Sequence, residues 1–178
     1  MRVITGTAKG ITLLSPDGDD KVRPTTDRVK EALFSIINFD IEGATVCDLF
    51  AGSGQLGIEA LSRGAASCVF CDCDRISVNL IKENLKKCRL LENSRVECTK
   101  HDVFLKNHTA EFDIIFIDPP YSLGIFNSAA ALAMGKIRKN GLIIVEHPTD
   151  FALENLNGFL RKDYKYGKIA VTVYRKSE

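Results

Sequence analysis

The sequence lacks any long apolar run and any strong net charge, and both absences limit the structural classes of protein to which it can belong. Of its 178 residues, 45% are hydrophobic and 26% charged, as in an ordinary globular domain rather than a disordered or collagen-like chain. Its longest apolar runs, such as residues 112–117, are far shorter than the roughly 20 residues that span a membrane. No apolar stretch typical of a secretory signal follows Met1. We therefore expect one soluble, cytoplasmic domain over residues 1–178 with no membrane partner.

The net charge of +1 neither requires nor excludes nucleic acid as a partner. Basic residues nevertheless concentrate near both ends of the chain, where local patches could contact phosphate. A face of ordinary solvated lysines explains this pattern equally well. The candidate RNA contacts are Arg2, Lys9, Arg28, Lys165 and Lys168.

Six cysteines are present, and the spacing Cys68-x-x-Cys71-x-Cys73 resembles part of a metal site. Without a secretory signal the compartment is expected to be reducing, which disfavours disulfides. No second closely spaced pair completes a set of four ligands. We therefore interpret these cysteines as small buried hydrophobic residues and expect no metal.

The order of the segments predicts an α/β fold with a doubly wound, mostly parallel sheet. Residues 2–14 are expected to form two brief β runs, so residues 1–22 would be an N-terminal β-hairpin extension and residues 23–178 a catalytic core. A helix follows Pro24, capped by Thr25 or Thr26. Buried strands are predicted at 44–50, 67–71, 95–99, 112–118 and 141–146, helices at 56–63, 75–91, 102–106 and 123–137, and a closing hairpin at 159–166 and 168–175.

The first strand of this sheet runs into a glycine pattern. Gly52, Gly54 and Gly57 satisfy G-x-G-x-x-G, which alone is a weak indication of a dinucleotide site. Asp48 at the strand tip would repel a pyrophosphate, which binds a helix N-terminus. The same carboxylate suits S-adenosylmethionine (SAM), which carries an ammonium and a sulfonium. The alternative is that Asp48 only caps the following helix.

Acids also follow the next two strands. Asp72 is assigned to the ribose hydroxyls, because a carboxylate can accept two hydrogen bonds from a diol, while Asp74 directly precedes a helix and is interpreted as its N-cap. After the third strand, Asp102 and the backbone N–H of Val103 would bind adenine, although Asp102 could equally cap a short helix.

The fourth strand ends in Asp118-Pro119-Pro120-Tyr121, the most specific pattern in the chain. The prolines end the strand and stiffen the loop, so that an acid and an aromatic ring are presented at the edge of the sheet. Asp118 and the Pro119 carbonyl could hold a planar exocyclic amine, and Tyr121 could stack on its base. This arrangement predicts methyl transfer to an aromatic amine.

Asp-Pro-Pro-Tyr resembles motif IV of amino methyltransferases, and three further segments resemble the RsmD family of 16S ribosomal RNA guanine-N2 methyltransferases. They are MRVITG at 1–6 with Gly10, RPTTDRVKEALF at 23–34, and DLFAGSGQLGIEALSRG at 48–64. The resemblance covers essentially the whole chain, although the ribose acid is Asp72 where a glutamate is more usual.

The resemblance implies a class I SAM-dependent, Rossmann-like methyltransferase with a seven-stranded sheet. It also implies a guanine of 16S rRNA, within a partly assembled 30S particle, as the substrate, and we expect a monomer. The catalytic candidates are Asp118, Pro119, Pro120 and Tyr121. The SAM-binding candidates are Arg23, Thr25, Thr26, Asp48, Phe50, Ala51, Gly52, Ser53, Gly54, Asp72, Cys73, Asp102 and Val103.

Three alternatives remain open at the level of sequence. The first is N6-adenine methylation of DNA or RNA, because the four-residue motif does not distinguish the purines. The second is an NAD-dependent oxidoreductase that uses the glycine pattern. The third is a non-catalytic RNA-binding or assembly factor, which only the basic termini favour.

Overall fold

The computed structural model describes residues 1–15 and 24–177, except for the side chains of residues 24–26. The helices are α1 (Pro24–Ile36), α2 (Gln55–Ser62), α3 (Arg75–Cys88), α4 (His101–Asn107) and α5 (Phe126–Ala133). The strands are β1 (Thr45–Asp48), β2 (Ser67–Asp72), β3 (Ser94–Cys98), β4 (Phe112–Ile117), β5 (Ile137–Pro148), β6 (Phe159–Tyr166) and β7 (Ile169–Lys176).

The seven strands form one sheet in the order β3-β2-β1-β4-β5-β7-β6. The first five are parallel, and β7 and β6 join antiparallel. Consecutive residues of β1 belong to the two hydrophobic cores on opposite faces of the sheet. Val46 packs in the core with α1, α2 and α3, whereas Cys47 packs in the core with α4 and α5. The predicted doubly wound α/β fold is therefore confirmed. No helix in the described part of the chain is long and apolar enough to cross a membrane.

The largest difference in element length is at α5. A single helix was expected over residues 123–137, but α5 covers only Phe126–Ala133. Short 3₁₀ turns flank it at Tyr121–Leu123 and Met134–Lys136. Gly124, with a φ of 60°, ends the first turn in the left-handed conformation that glycine adopts easily.

The first fifteen residues reverse direction against α2, and their two arms pair over only a few residues. An antiparallel bridge joins Arg2 and Thr12, and the N–H groups of Val3 and Leu13 donate to the carbonyls of Ile11 and Met1, both at 3.0 Å, so the predicted β runs are present only as this short pairing. The backbone N–H groups of Ile4 and Thr5 instead donate to the Glu59 carboxylate at 2.8 and 3.0 Å. The Glu59 carboxylate thus satisfies two backbone N–H groups that a longer pair of β-strands would otherwise have satisfied.

Glu59 lies at the centre of a buried ionic network. It is 0% exposed, and its Oε2 atom lies 3.6 Å from Nζ of Lys30. Nε of Arg63 donates to Oε1 at 2.8 Å. Burial lowers the pKa of Lys30, and the adjacent Glu59 charge opposes that shift. Because losing one partner would leave a buried charge uncompensated, this network fixes α1, α2 and the N-terminal segment together.

Gly57→Ala tests how closely α2 packs on the sheet. A Cβ at Gly57 would lie 2.3 Å from Cε1 of Phe70, whose ring is fully buried. We expect the free energy of unfolding, measured by urea denaturation, to fall by about 1–3 kcal/mol. Gly135→Ala is the matched control, because a Cβ there meets nothing within 4 Å. Equal effects of the two variants would contradict the packing argument.

Candidate functional site

A cavity of about 970 Å³ opens at the carboxyl ends of the parallel strands, where ligands of doubly wound sheets bind. Its wall combines the loop after β1, the ends of β2, β4 and β5, and the first residues of α4. The lining residues that bear on the site are Asp48, Phe50, Ala51, Gly52, Ser53, Asp72, Cys73, Asp74, Ser77, Thr99, Lys100, His101, Asp118, Pro119, Pro120, Tyr121, Leu123, Glu146 and Ile169.

The described lining of this cavity is strongly acidic. Its side chains include five carboxyl groups, against one lysine. Burial lowers the pKa of His101, which favours the neutral form of its ring. Such a wall favours a ligand that carries positive charge or donates hydrogen bonds, and it disfavours phosphate groups. The acids are Asp48, Asp72, Asp74, Asp118 and Glu146, and the lysine is Lys100.

The glycine turn between β1 and α2 forms one side of the cavity. Gly52 and Gly54 have φ values of 54° and 79°, which L side chains rarely adopt. A Cβ at Gly52 would meet no protein atom within 4 Å. Buried Asn84 of α3 donates to the Ser53 carbonyl at 2.9 Å and to the Leu14 carbonyl at 3.1 Å. The N-terminal segment and α3 therefore support the turn from behind.

Asp48 is almost fully buried and accepts the backbone N–H of Gly57 at 2.9 Å. The helix-capping alternative therefore describes a real contact, although Asp48 also lines the cavity. Burial raises the pKa of Asp48 to about 7, the Gly57 N–H partly opposes the shift, and the charge of Asp72 adds to it. A cation bound nearby would favour the ionised form.

The two acids at the end of β2, Asp72 and Asp74, differ in their contacts. Asp74 accepts the N–H groups of Ile76 and Ser77 at 3.2 and 3.3 Å, so the N-cap prediction is confirmed. Asp72 lines the cavity, and its two oxygens accept from the N–H groups of Gly52 and Asp74, both at 2.9 Å. These bonds fix the Asp72 carboxylate before any ligand arrives.

Asp118 comes directly after β4 and is followed by buried Pro119. Burial raises the pKa of the Asp118 carboxyl well above its usual range, and the negative charges of Glu146 and Asp48 raise it further. The two prolines contribute no backbone N–H that could turn inward and satisfy the carboxylate. Asp118 is therefore an acid that gains from a ligand with N–H groups.

Tyr121 forms the outer rim beyond the prolines. Its ring meets Phe126 edge-on at a centroid distance of 5.9 Å, and its hydroxyl donates to Oε1 of Glu146 at 3.3 Å. Tyr121 as a whole is 37% exposed. An aromatic surface fixed at the mouth of the cavity can stack against a planar ligand.

Asp102 and Val103 lie beside the cavity lining, in the first turn of α4. The wall at that point is formed by Thr99, Lys100 and His101. Lys100 is the N-cap position of α4, with no side-chain cap hydrogen bond, so the capping alternative for Asp102 is not realised. Its carboxylate instead lies 3.9 Å from Nζ of Lys106.

The remaining cofactor candidates divide into two groups. The Phe50 ring packs 4.8 Å from the His101 ring, and both line the cavity. Arg23 and the side chains of Thr25 and Thr26 lie outside the described residues, so their predicted contacts stay predictions.

The basic candidates lie in two separate places. Lys165 and Lys168 are exposed on the β6–β7 hairpin, and Ile169 of this hairpin lines the cavity. Lys9 instead follows Ala8, whose N–H donates to the Ser62 hydroxyl at the far end of α2. Arg2 and Arg28 are exposed, and Arg2 lies 3.6 Å from Asp27. Among these candidates, Lys168 directly precedes a residue of the cavity wall.

The cysteines only partly follow the expectation of burial. Four are buried, but Cys73 and Cys98 are exposed, because both lie at the carboxyl ends of their strands. Among the described residues, no group of three or more metal-ligating side chains has the arrangement of a metal site.

Several lining residues were not singled out from the sequence. Glu146 is the most important, because it adjoins Asp118 at the same edge of the sheet. Its signal was present, since the predicted strand 141–146 ends at this glutamate. Lys100 and His101 could have been found in the same way after β3.

Comparison with known proteins identifies the family. Residues 1–175 match the family model described as conserved hypothetical protein 95. The chain is 38% identical to Bacillus subtilis YlbH over 99% of both chains. It is 36% identical to ribosomal RNA small subunit methyltransferase D of Escherichia coli, covering 99% of this chain and 90% of that one. The chain belongs to the family of this methyltransferase. The solved structure of E. coli yhhF has a TM-score of 0.89 at 32% identity, covering 99% of this chain and 98% of that one.

Asp48→Asn tests the buried acid behind the glycine turn. The raised pKa means that the native state binds a proton between about pH 4 and 7 that the unfolded chain releases, so this group costs stability as pH rises. Asparagine can still accept the Gly57 N–H but does not ionise. We expect its stability relative to wild type to rise between pH 4 and 8, by an amount on the order of 2–4 kcal/mol. If the difference in free energy of unfolding between this variant and wild type does not change across this pH range, the raised pKa is refuted. Asp150→Asn, at an exposed aspartate, is the control.

Proposed function

We propose that this protein transfers a methyl group from SAM to the exocyclic N2 amine of a guanine in 16S rRNA. The observation that carries the proposal is the rigid presentation of Asp118, Pro119 and Tyr121 in an acidic cavity beside the glycine turn. The family to which the chain belongs supports methylation of ribosomal RNA. The chemistry of the cavity supports the choices of cofactor and amine.

The cavity residues fit SAM better than a nicotinamide dinucleotide. Asp72 is held by two backbone N–H groups in a fixed orientation suited to a ribose diol. Asp48 and the other acids suit a cationic ligand, whereas the two phosphates of NAD would meet these carboxylates. Phe50, beside His101, offers an apolar wall for an adenine ring. When bound, SAM supplies an electrophilic methyl group on a positively charged sulfur.

Asp118 and the Pro119 carbonyl would accept the two N–H bonds of the target amine. The lone pair of such an amine is delocalised into the ring, and these hydrogen bonds favour a geometry in which it points at the methyl group. The nitrogen would form a bond to the methyl carbon as the carbon–sulfur bond breaks and leaves a neutral thioether. The proton that the nitrogen then loses would pass to the Asp118 carboxylate or to solvent. The Asp118 carboxylate stabilises the positive charge that develops on nitrogen, and correct positioning supplies much of the remaining acceleration.

The target base has to leave its helical stack to reach this cavity. Tyr121 would stack on the extruded base, a contact worth roughly 1–3 kcal/mol. Lys165 and Lys168 of the β6–β7 hairpin would contact the RNA backbone. We infer a monomeric enzyme that acts on a partly assembled 30S particle, without a metal.

The proposal is tested by nucleoside mass spectrometry of 16S rRNA from cells with and without the gene. Loss of one N2-methylguanosine is expected, and the same digest would reveal N6-methyladenosine if adenine were the target. An in vitro assay with labelled SAM, on naked 16S rRNA and on 30S particles, identifies the substrate form. Calorimetry should detect S-adenosylhomocysteine but not NADH. Binding of NADH alone would overturn the choice of cofactor.

Asp118→Ala should reduce turnover by about 10²–10³-fold, because hydrogen bonds made in the transition state are lost. Binding of S-adenosylhomocysteine should persist, which shows that the variant is folded. Asp118→Asn should lose less, because its amide oxygen still accepts one N–H. Near-normal methylation by the alanine variant would contradict the proposed role.

The pH dependence of kcat/KM should follow the raised pKa of Asp118 in the free enzyme. The carboxylate is the active form, so kcat/KM should rise with pH until it passes that raised value. The neighbouring charges of Glu146 and Asp48 place this rise above the ordinary range of a carboxyl group. Asp118→Asn should lack it. A wild-type profile that is flat down to pH 5 would exclude this titration.

A further inference from the structure

Glu146 occupies the position beside Asp118 on the neighbouring strand. β4 and β5 are parallel, with Ile117 paired to Val145, so Asp118 and Glu146 are the next residues along each strand. Adjacent strands lie ~4.8 Å apart. Both carboxyl groups line the cavity, and their charges interact. Two acids thus lie side by side where the target base is proposed to bind.

Glu146 is also oriented by the loop that would hold the base. The Tyr121 hydroxyl donates to its Oε1 atom at 3.3 Å, and Tyr121 in turn packs edge-on against buried Phe126. A carboxylate has two oxygens and about four lone-pair positions, so it can accept from a ligand as well as from protein donors. The side chain is only partly buried, since it faces the cavity.

The two purines differ in the atom next to the reactive amine. In guanine the ring nitrogen N1, beside the N2 amine, carries a hydrogen and donates. In adenine the N1 atom beside the N6 amine has a lone pair and accepts. An extruded base is recognised by hydrogen bonds to this edge. A carboxylate beside the amine site would therefore bind the guanine edge and repel the adenine edge.

We propose that Glu146 accepts the N1–H of the target guanine while Asp118 holds its N2 amine, so that this pair of carboxylates selects guanine over adenine. The proposal rests on the function proposed above and deepens it, because Asp-Pro-Pro-Tyr alone does not distinguish the two amines. Guanine binding would also place the N1–H and the N2 amine as donors against the carboxylates of Glu146 and Asp118, whose negative charges repel each other.

The test uses 2-aminopurine, which keeps the 2-amino group of guanine but has an unprotonated N1. The rRNA or 30S substrate identified by the labelling assay is prepared with guanine or 2-aminopurine at the target nucleotide, and with inosine, which lacks the amine, as a blank. Single-turnover methylation rates are then measured for wild type and for Glu146→Gln. Exposed Glu111, outside the cavity lining, supplies the control variant Glu111→Gln.

Wild type should methylate guanine on the order of 10²-fold faster than 2-aminopurine, because 2-aminopurine would place the lone pair of its N1 atom against the Glu146 carboxylate. In Glu146→Gln the ratio should fall below about tenfold, because the amide can rotate and donate to N1. The rise of kcat/KM with pH should also shift to lower pH, since a charge that raises the pKa of Asp118 is gone. Glu111→Gln should keep the wild-type ratio and profile.

Two results would overturn the proposal while leaving the methyltransferase function intact. One is a wild-type preference for guanine over 2-aminopurine of less than about threefold. The other is a Glu146→Gln variant that slows on both bases equally, which would mean that Glu146 acts only through Tyr121 or Asp118. Wild-type methylation of neither base would instead refute the proposed function itself, and this inference with it.

Discussion

Repulsion between carboxyl groups at the carboxyl edge of the sheet is the constraint on which the site depends. Asp118, Glu146 and Asp48 come from three neighbouring strands, and the parallel register brings their ends together. Burial and mutual repulsion raise the pKa of Asp118. A ligand that brings positive charge or N–H donors would offset this cost, so the repulsion that raises the pKa of Asp118 also favours such a ligand.

The rest of the fold keeps these acids in place. The Gly57 N–H holds Asp48, and the N–H groups of Gly52 and Asp74 hold Asp72. Behind the glycine turn, buried Asn84 bonds the Ser53 carbonyl and the N-terminal segment, so that segment is part of the structural support for the turn. A preorganised site needs such support, because each unsupported carboxylate would otherwise rotate away from its neighbours.

The fold and the centre of the site could be predicted from the sequence because both depend on local patterns. Alternating apolar strands and amphipathic helices predicted the doubly wound sheet, and the glycines and Asp118 to Tyr121 stood out by spacing alone. Contacts between distant segments have no such signal: neither Glu59 binding the N-terminal backbone nor Asn84 behind Ser53 could be read from periodicity. Glu146 could have been predicted, because it ends a predicted strand, and ligands of doubly wound sheets bind at the carboxyl ends of the strands.

One electrostatic principle connects the choice of cofactor with the choice of base. Under the proposed function, the acidic wall would disfavour the phosphates of a dinucleotide and accept a sulfonium, and the same wall would prefer a purine edge with donors at adjacent positions. Guanine presents such an edge through N1 and N2, whereas adenine places a lone pair beside its amine. The pair formed by Asp118 and Glu146 would therefore extend the discrimination from the methyl donor to the methyl acceptor, with no additional recognition element.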